Sequence, residues 1–126
     1  MSNYDYLWLD AFIKTQLIEV IFGSLGLYLY YVHYCARSIS LWRTALVIFS
    51  ASSITHPLLW FYYPRLRREW GLSYDEYVFY GELTIFIIEA LWYALILEVF
   101  RGRILIALGY SCLLNCLSYC IGLYLQ

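Results

Sequence analysis

The stretch that decides the fold runs from Tyr77 to Phe100 and reads YVFYGELTIFIIEALWYALILEVF. It is almost continuously apolar, and one helical crossing of a bilayer requires about 20 such residues. Three further stretches of the same kind occur in the chain, at residues 11–33, 41–63 and 104–125. The sequence therefore predicts an all-α, polytopic membrane protein with four transmembrane helices.

The segments between these spans are short and contain most of the charged residues. Residues 64–76 form the longest link, whereas residues 101–103 are only Arg-Gly-Arg. Short links join helices that run in opposite directions, so the spans are expected to form one up-and-down bundle. Residues 1–126 are accordingly predicted to be a single membrane domain. Because Lys and Arg are balanced between the two sides, the positive-inside rule sets no orientation.

The composition excludes several classes of protein. Of the 126 residues, 63% are hydrophobic, 21% aromatic and 13% charged, whereas soluble domains contain about 25% charged residues. A soluble enzyme, a disordered tail and a nucleic-acid binder are therefore excluded. The four cysteines lack the paired spacing of a zinc or redox site, and we interpret them as small apolar residues. The expected partners are the lipid bilayer and either further copies of this chain or other membrane subunits.

Several polar side chains lie inside the predicted spans, where a central charge costs about 2.5–3.5 kcal/mol. Glu82 and Glu89 are seven residues apart, so they share one face of the third helix, which Tyr93 extends. Because of this cost, the carboxyl groups are expected to face one another, to become protonated or to bind a cation. The candidate ligand-binding residues are Glu19, His56, Glu82, Glu89, Tyr93, Asn115 and Ser118.

The depth of these residues predicts a pocket that opens on one side. At a rise of about 1.5 Å per residue, Glu89 and Asn115 lie near the midplane. Glu19, His56, Glu82 and Ser118 fall in the half nearer the chain termini and the 64–76 loop, and the opposite half is apolar. Carboxylate and imidazole ligands suit Mn²⁺, Fe²⁺ or Zn²⁺. The predicted ligands of such a divalent metal ion are Glu19, His56, Glu82 and Glu89.

Local charges and one proline add three smaller predictions. Asp10 and Lys14, four residues apart, are expected to pair at the entrance of the first span, and Glu98 is expected to pair with Arg101. Pro57 lacks a backbone N–H and collides with the preceding turn. It therefore predicts an irregular helix next to His56, in which the Ser53 carbonyl loses its usual partner and faces Glu82.

Short motifs in all four spans carry a resemblance to a known family. They are Ile18-Glu19-Val20, Thr55-His56-Pro57-Leu58-Leu59, Glu82, Glu89-Ala90-Leu91-Trp92-Tyr93, and Asn115 with Ser118 and Gly122. This order resembles a loose family of small, uncharacterised four-span membrane proteins of bacteria and archaea, in which Asn usually stands at the position of His56. The resemblance implies a shared intramembrane site and a prokaryotic cytoplasmic membrane, but no particular reaction.

Three functions agree with this pattern. The first is binding or transport of a cation or cationic group in the acidic pocket. The second is a role as an accessory or structural subunit of a larger membrane complex, in which the pocket receives a partner's Arg or Lys. The third is an intramembrane enzyme that acts on a lipid or isoprenoid, with two carboxyl groups as acid and base. No nucleophile elbow, HExxH motif or phosphate-binding loop accompanies them.

Overall fold

The computed structural model describes residues 2–35 and 38–124, and these residues contain helices and turns but no strand. Arg37 of the first link and Leu125, the last residue of the fourth predicted span, lie outside the described residues. The predicted all-α class is confirmed. Four helices are long and apolar enough to cross a membrane: α1 (Asn3–Tyr34), α2 (Leu41–Trp70), α3 (Tyr74–Ile96) and α4 (Ile104–Tyr124).

Serine residues cap the start of the first three helices. Ser2, Ser40 and Ser73 each accept a hydrogen bond on Oγ from a backbone N–H three residues further on. At α3 the exchange is reciprocal, because the Glu76 carboxylate accepts from the Ser73 backbone N–H at 2.9 Å. Such capping satisfies donors that the first turn of a helix leaves free.

Two bounds of the first two helices differ clearly from the sequence-based expectation. Helix α1 begins at Asn3 instead of residue 11, and α2 continues to Trp70 instead of ending at residue 63. Helix α2 passes Pro64 because this residue stands in the first turn after a π-helical turn, Leu58–Tyr62, where its missing N–H is tolerated. Gly71, with φ of 65°, then ends the helix.

The third span is displaced from the predicted range of 77–100, because it begins at Tyr74 and ends before residue 100. Helix α3 ends at Ile96, and Leu97 is extended with ψ of 116°. A single 3₁₀ turn, Glu98–Phe100, follows. Gly102, with φ of 72°, completes the turn into α4. Glycine adopts this left-handed backbone conformation without the steric cost of a Cβ atom.

Hydrogen bonds between neighbouring helices show that they run in opposite directions. Tyr4 donates to the carbonyl of Trp60 at 2.6 Å, and further along α1 the carboxylate of Glu19 accepts from Ser52. The residue numbers of the partners on α2 thus fall as the residue numbers on α1 rise, which is the pattern of two antiparallel helices. The same holds for α2 with α3, as Tyr77 donates to the Leu59 carbonyl at 3.2 Å and Trp92 donates to the Ser50 hydroxyl at 3.0 Å.

The helices contact one another in the order α1, α2, α3, α4 and back to α1. The apolar core lies in the half of this bundle opposite the described chain ends, and it includes Leu27, Ile48, Tyr93, Phe100 and Ala107. Large apolar side chains also cover the outside of all four helices. This exposed apolar surface is consistent with an integral membrane protein.

Candidate functional site

Two carboxyl groups are buried between the helices. The side chains of Glu19, on α1, and Glu89, on α3, belong to residues that are each 1% exposed. Charged groups are almost never buried to this extent unless they are paired or hydrogen-bonded. The neighbours of these two carboxyl groups therefore decide what the site can do.

The Glu19 carboxyl group accepts hydrogen bonds from two other helices. The Ser52 hydroxyl, on α2, donates to Oε2, and the Ser118 hydroxyl, on α4, donates to Oε1 at 2.9 Å. Ser118 also lies 3.1 Å from the Asn115 carbonyl, so its single proton is shared between two acceptors. Glu19 thus links α1 to both of its neighbours in the bundle.

The Glu89 carboxyl group is surrounded in the same way. It accepts from the Thr55 hydroxyl at 2.8 Å, from the Asn115 amide nitrogen at 2.6 Å and from the Ser111 hydroxyl at 3.3 Å. Glu19 lies close enough for its charge to act on Glu89. We call the whole set the carboxyl cluster, which consists of Glu19, Ser52, Thr55, Glu89, Ser111, Asn115 and Ser118.

Near Glu19, helix α1 packs closely against α2 and α4. A π-helical turn at Glu19–Gly23 begins at the carboxyl residue, and such turns rotate the helix face that follows them. One turn after Glu19, Gly23 has no side chain, and a Cβ atom there would lie 2.8 Å from Ile48 and 2.9 Å from Leu114. Helix α1 therefore approaches α2 and α4 closely enough for serine side chains to reach Glu19.

All donors to the two carboxyl groups are neutral. Within residues 2–35 and 38–124, the ion pairs are Lys14 with Asp10 at 2.7 Å and Arg43 with Glu98 at 4.0 Å. The first pair was predicted and is confirmed. The second corrects the prediction of an Arg101 partner, because the backbone turns at Leu97 and leaves Glu98 beside α2. Neither pair involves the carboxyl cluster.

His56 does not join the carboxyl cluster, although the sequence predicts it as a ligand there. It follows Thr55 on α2, so its side chain points about 100° away around the helix. The ring packs edge-on against Phe12 at 5.4 Å and parallel to Trp60 at 6.3 Å. Its Nδ1 atom is buried without a hydrogen-bond partner among the described residues. The predicted irregularity beside it is confirmed, since Pro57 directly precedes the π-helical turn of α2.

Glu82 lies at the edge of the site. It is partly buried, and its charge interacts with that of Glu19 across the bundle. It makes no hydrogen bond in the part of the chain that the structure describes. Glu82 is therefore a neighbour of the carboxyl cluster rather than one of its hydrogen-bonded members.

The remaining predicted site residues fall into two groups. Asn115 and Ser118 belong to the carboxyl cluster, as predicted. Tyr93 is 0% exposed, one turn after Glu89, but its hydroxyl has no partner among the described residues. The structure therefore brings five of the seven predicted residues to one region, with Glu82 at its edge and His56 turned away.

The predicted metal ligands are not gathered around one point. Among residues 2–35 and 38–124, no group of three or more His, Cys, Asp and Glu side chains is placed to hold a metal ion. The reason is geometric, since His56 faces aromatic rings and Glu82 stands apart from Glu89. The oxygen atoms of the carboxyl cluster come instead from carboxyl, hydroxyl and amide groups.

Four residues that lie at or beside the carboxyl cluster were not predicted from the sequence as site residues. They are Ser52, Thr55, Tyr110 and Ser111. Ser52 and Thr55 are three residues apart on α2, and Ser111 precedes Asn115 by one turn on α4. Helical spacing of hydroxyl groups within apolar spans is the signal that could have identified all three. Tyr110 carries no such signal, because tyrosines occur throughout this chain.

The comparisons with known proteins return no relative. No family model matches the chain, and neither a curated protein nor a solved structure is significantly similar to it. The resemblance to small four-span membrane proteins of bacteria and archaea therefore stays a prediction. The function has to be argued from the carboxyl cluster itself.

Proposed function

We propose that this chain is an integral membrane protein whose four helices span the bilayer as an up-and-down bundle and whose carboxyl cluster binds a small cation. The observation that carries this proposal is the burial of Glu19 and Glu89 among neutral donors alone. The resemblance suggests the prokaryotic cytoplasmic membrane as its location, which stays a prediction.

The energetic argument concerns charge inside lipid. One ionised side chain at the bilayer centre costs about 2.5–3.5 kcal/mol on insertion scales, so two cost about 5–7 kcal/mol. Folded domains are stable by only about 5–15 kcal/mol in total. Hydrogen bonds from Ser, Thr and Asn lower this cost but do not cancel the charge. A divalent cation within reach of both carboxyl groups would cancel this charge, and a monovalent cation would cancel half of it.

The donors also suit a cation chemically. A hydroxyl group that donates its proton to a carboxylate keeps lone pairs on oxygen. Ser52 and Thr55 on α2 and Ser111 on α4 thus add oxygen ligands to those of Glu19 and Glu89. Hard cations prefer such all-oxygen surroundings. The cluster is buried deeply, with an apolar core on one side, and this supports binding rather than transport or catalysis on a lipid-sized substrate.

The test is cation-dependent stability of the purified protein in lipid nanodiscs. Thermal unfolding is measured in a series of alkali and divalent cations at fixed ionic strength, and over a range of pH. We expect one cation, H⁺ included, to raise the midpoint in the wild type. Glu19→Gln and Glu89→Gln remove this response, because each loses one carboxylate of the cluster.

Glu98→Gln is the matched control. Its carboxylate lies at a helix end, with a side chain that is 72% exposed, so the cation response should remain as in the wild type. The proposal would be contradicted if cations and pH changed the unfolding midpoint of the wild type no more than they change the midpoint of Glu89→Gln. An equal loss of response in Glu98→Gln would show that the effect is not specific to the cluster.

A second candidate, a subunit of a homo-oligomer or larger membrane complex, is favoured by one observation. Small residues recur at intervals of three and four along the outside of α4, at Gly109, Cys112, Cys116 and Cys120. In lipid, such stripes allow two helices to approach closely. Cation binding and oligomer formation are compatible, because this stripe faces away from the carboxyl cluster.

A further inference from the structure

Two buried phenol groups beside the carboxyl cluster have no partner among the described residues. The hydroxyl groups are those of Tyr93, on α3, and Tyr110, on α4. Tyr93 is 0% exposed. A buried polar group without a hydrogen bond is costly in free energy and rare in folded proteins. The pair therefore points to an occupant that would bond to them.

The two hydroxyl groups lie about one helical turn from the carboxyl cluster, on its side nearer the apolar core. The two rings pack edge to face with centroids 5.5 Å apart. A Cβ atom on Gly23, one turn after Glu19, would lie 2.9 Å from the Tyr110 hydroxyl oxygen. Tyr93 follows Glu89 by one turn, and long side chains on a helix lean toward its N-terminus. Glu19 and Glu89 both lie within electrostatic range of Tyr93, and Glu19 lies within range of Tyr110.

The chemistry of the hydroxyl groups limits what this occupant can be. A phenol proton requires an acceptor, which a metal ion or an ammonium ion does not provide. A carboxylate requires a donor. Water does both, and buried waters typically make about three hydrogen bonds to groups that are otherwise unsatisfied. A water molecule between the phenols and the carboxyl groups would satisfy both kinds of group and would provide a path for a proton from one carboxyl group to the other.

We propose that the cation bound by the carboxyl cluster is a proton, shared between Glu19 and Glu89 through buried water that Tyr93 and Tyr110 hold in place. This inference rests on the proposed function and names its ligand. In the transfer, the O–H bond of one carboxylic acid breaks while water gives a proton to the other carboxylate. The water regains its proton from the first acid, so charge and atoms balance without a redox partner.

The titratable and hydroxyl groups that face the site can be named for each of the four helices. Glu19 is the titratable group from α1, Glu89 and Tyr93 come from α3 with Glu82 at the edge, and Tyr110 comes from α4. Helix α2 presents only the hydroxyl groups of Ser52 and Thr55, because its His56 stacks against aromatic rings. Among the described residues, no Lys or Arg forms an ion pair with these groups.

The test is infrared difference spectroscopy of the protein in nanodiscs during a pH titration, in H₂¹⁶O and H₂¹⁸O. We expect a carbonyl stretching band of a protonated carboxylic acid that is absent in Glu89→Gln. We also expect an O–H band that shifts with ¹⁸O, as only water can. Tyr93→Phe and Tyr110→Phe should remove the water band and move the carboxylic acid band to higher frequency, since a carbonyl that loses a hydrogen bond vibrates faster.

Tyr119→Phe is the control, because this tyrosine is 55% exposed on the outside of α4. Thermal unfolding gives a second measurement. Removing a hydroxyl group without any partner should leave the midpoint unchanged or raise it, whereas removing one that holds water should lower it. A water band that persists in the Tyr93→Phe/Tyr110→Phe variant, or unchanged midpoints in both single variants, would overturn the inference.

Failure of this inference is distinguishable from failure of the proposed function. If a metal cation removes the carboxylic acid band and raises the unfolding midpoint, the cluster binds that cation instead, and only the proton inference is wrong. If no carboxylic acid band titrates and no cation changes the midpoint, both proposals are wrong.

Discussion

At Gly23, α1 lies close to both of its neighbours in the bundle. A Cβ atom there would lie 2.8 Å from Ile48, 2.9 Å from Leu114 and 2.9 Å from the hydroxyl of Tyr110. Real Cβ contacts are not this short, so these side chains would have to move. Because Gly23 follows Glu19 by one turn, such a movement would also change the carboxyl cluster.

Gly23→Ala is expected to destabilise the protein by about 1–3 kcal/mol, the usual cost of overpacking a tight core, because Ile48 and Leu114 are buried and have little room to move. Gly26→Ala is the matched control in the same helix, since among the described residues a Cβ atom there would meet no heavy atom within 4 Å beyond its own stretch of helix. It should be neutral or stabilising by up to about 1 kcal/mol, because alanine favours helix. The unfolding free energies of both variants are measured in mixed micelles. Equal values for Gly23→Ala and Gly26→Ala would contradict a close approach of α1 to its neighbours at Gly23.

The individual residues also show why composition alone did not identify the site. Thr55 and His56 are neighbours in sequence, yet one donates to Glu89 and the other packs against Phe12. One residue of rotation, about 100°, separates a member of the cluster from an aromatic contact. His56 was predicted as a ligand because of its side-chain type, but its position on the helix directs the ring away from the carboxyl cluster.

At the scale of elements, the π-helical turn of α2 exposes backbone carbonyls that tyrosines satisfy. Tyr4 donates to the Trp60 carbonyl at 2.6 Å, and Tyr77 donates to the Leu59 carbonyl at 3.2 Å. Both acceptors lie within Leu58–Tyr62, directly after Pro57. Interruptions of the helical hydrogen-bond pattern are tolerated when side chains bond to the freed groups. The turn therefore connects α2 to α1 and α3.

We expect Tyr77→Phe to lower the unfolding free energy by about 0.5–1.5 kcal/mol, the net value of one hydrogen bond. Tyr4→Phe should have a similar or smaller effect, because Tyr4 is more exposed than Tyr77. Tyr6→Phe should change little, since Tyr6 is 60% exposed and makes no such bond. Denaturation followed by circular dichroism tests this order. A Tyr6→Phe variant as unstable as Tyr77→Phe would refute the role of the turn.

The helix ends show what local sequence does and does not predict. The apolar length of residues 77–100 predicted a helix to Phe100, but the backbone becomes extended at Leu97. Hydropathy does not distinguish a helix from an apolar 3₁₀ turn. The continuation of α2 to Trp70 was missed for the opposite reason, since charged residues and Pro64 suggested a loop.

At the scale of the whole molecule, the polar groups of the carboxyl cluster lie inside, and one stripe of small residues on α4 lies outside. The carboxyl cluster joins all four helices, whereas the stripe from Gly109 to Cys120 contacts none of them closely enough to be buried. A second copy of the chain, or another membrane subunit, can approach along this stripe. The three exposed cysteines of α4 provide a direct test with native side chains.

Mild oxidation in native membranes should link two chains through Cys116 when the other cysteines are replaced by serine. A disulfide requires Cα atoms about 4.4–6.8 Å apart, so a covalent dimer of the 15.0 kDa chain reports close helix contact. The variant that retains only Cys35, at the far end of α1, is the control. Absence of a dimer in the Cys116 variant, or equal dimer in the Cys35 variant, would argue against a contact along α4.

The sequence by itself determined that four apolar helices form, because the length and hydropathy of a span are local properties. It also placed Glu19, Glu89, Asn115 and Ser118 within those spans. Only the tertiary structure decided which polar groups meet, since this depends on how each helix is rotated about its axis. π-helical turns at Glu19–Gly23 and Leu58–Tyr62 alter that rotation. Hence residues 99 positions apart, Glu19 and Ser118, share a hydrogen bond, while His56 stays outside the cluster.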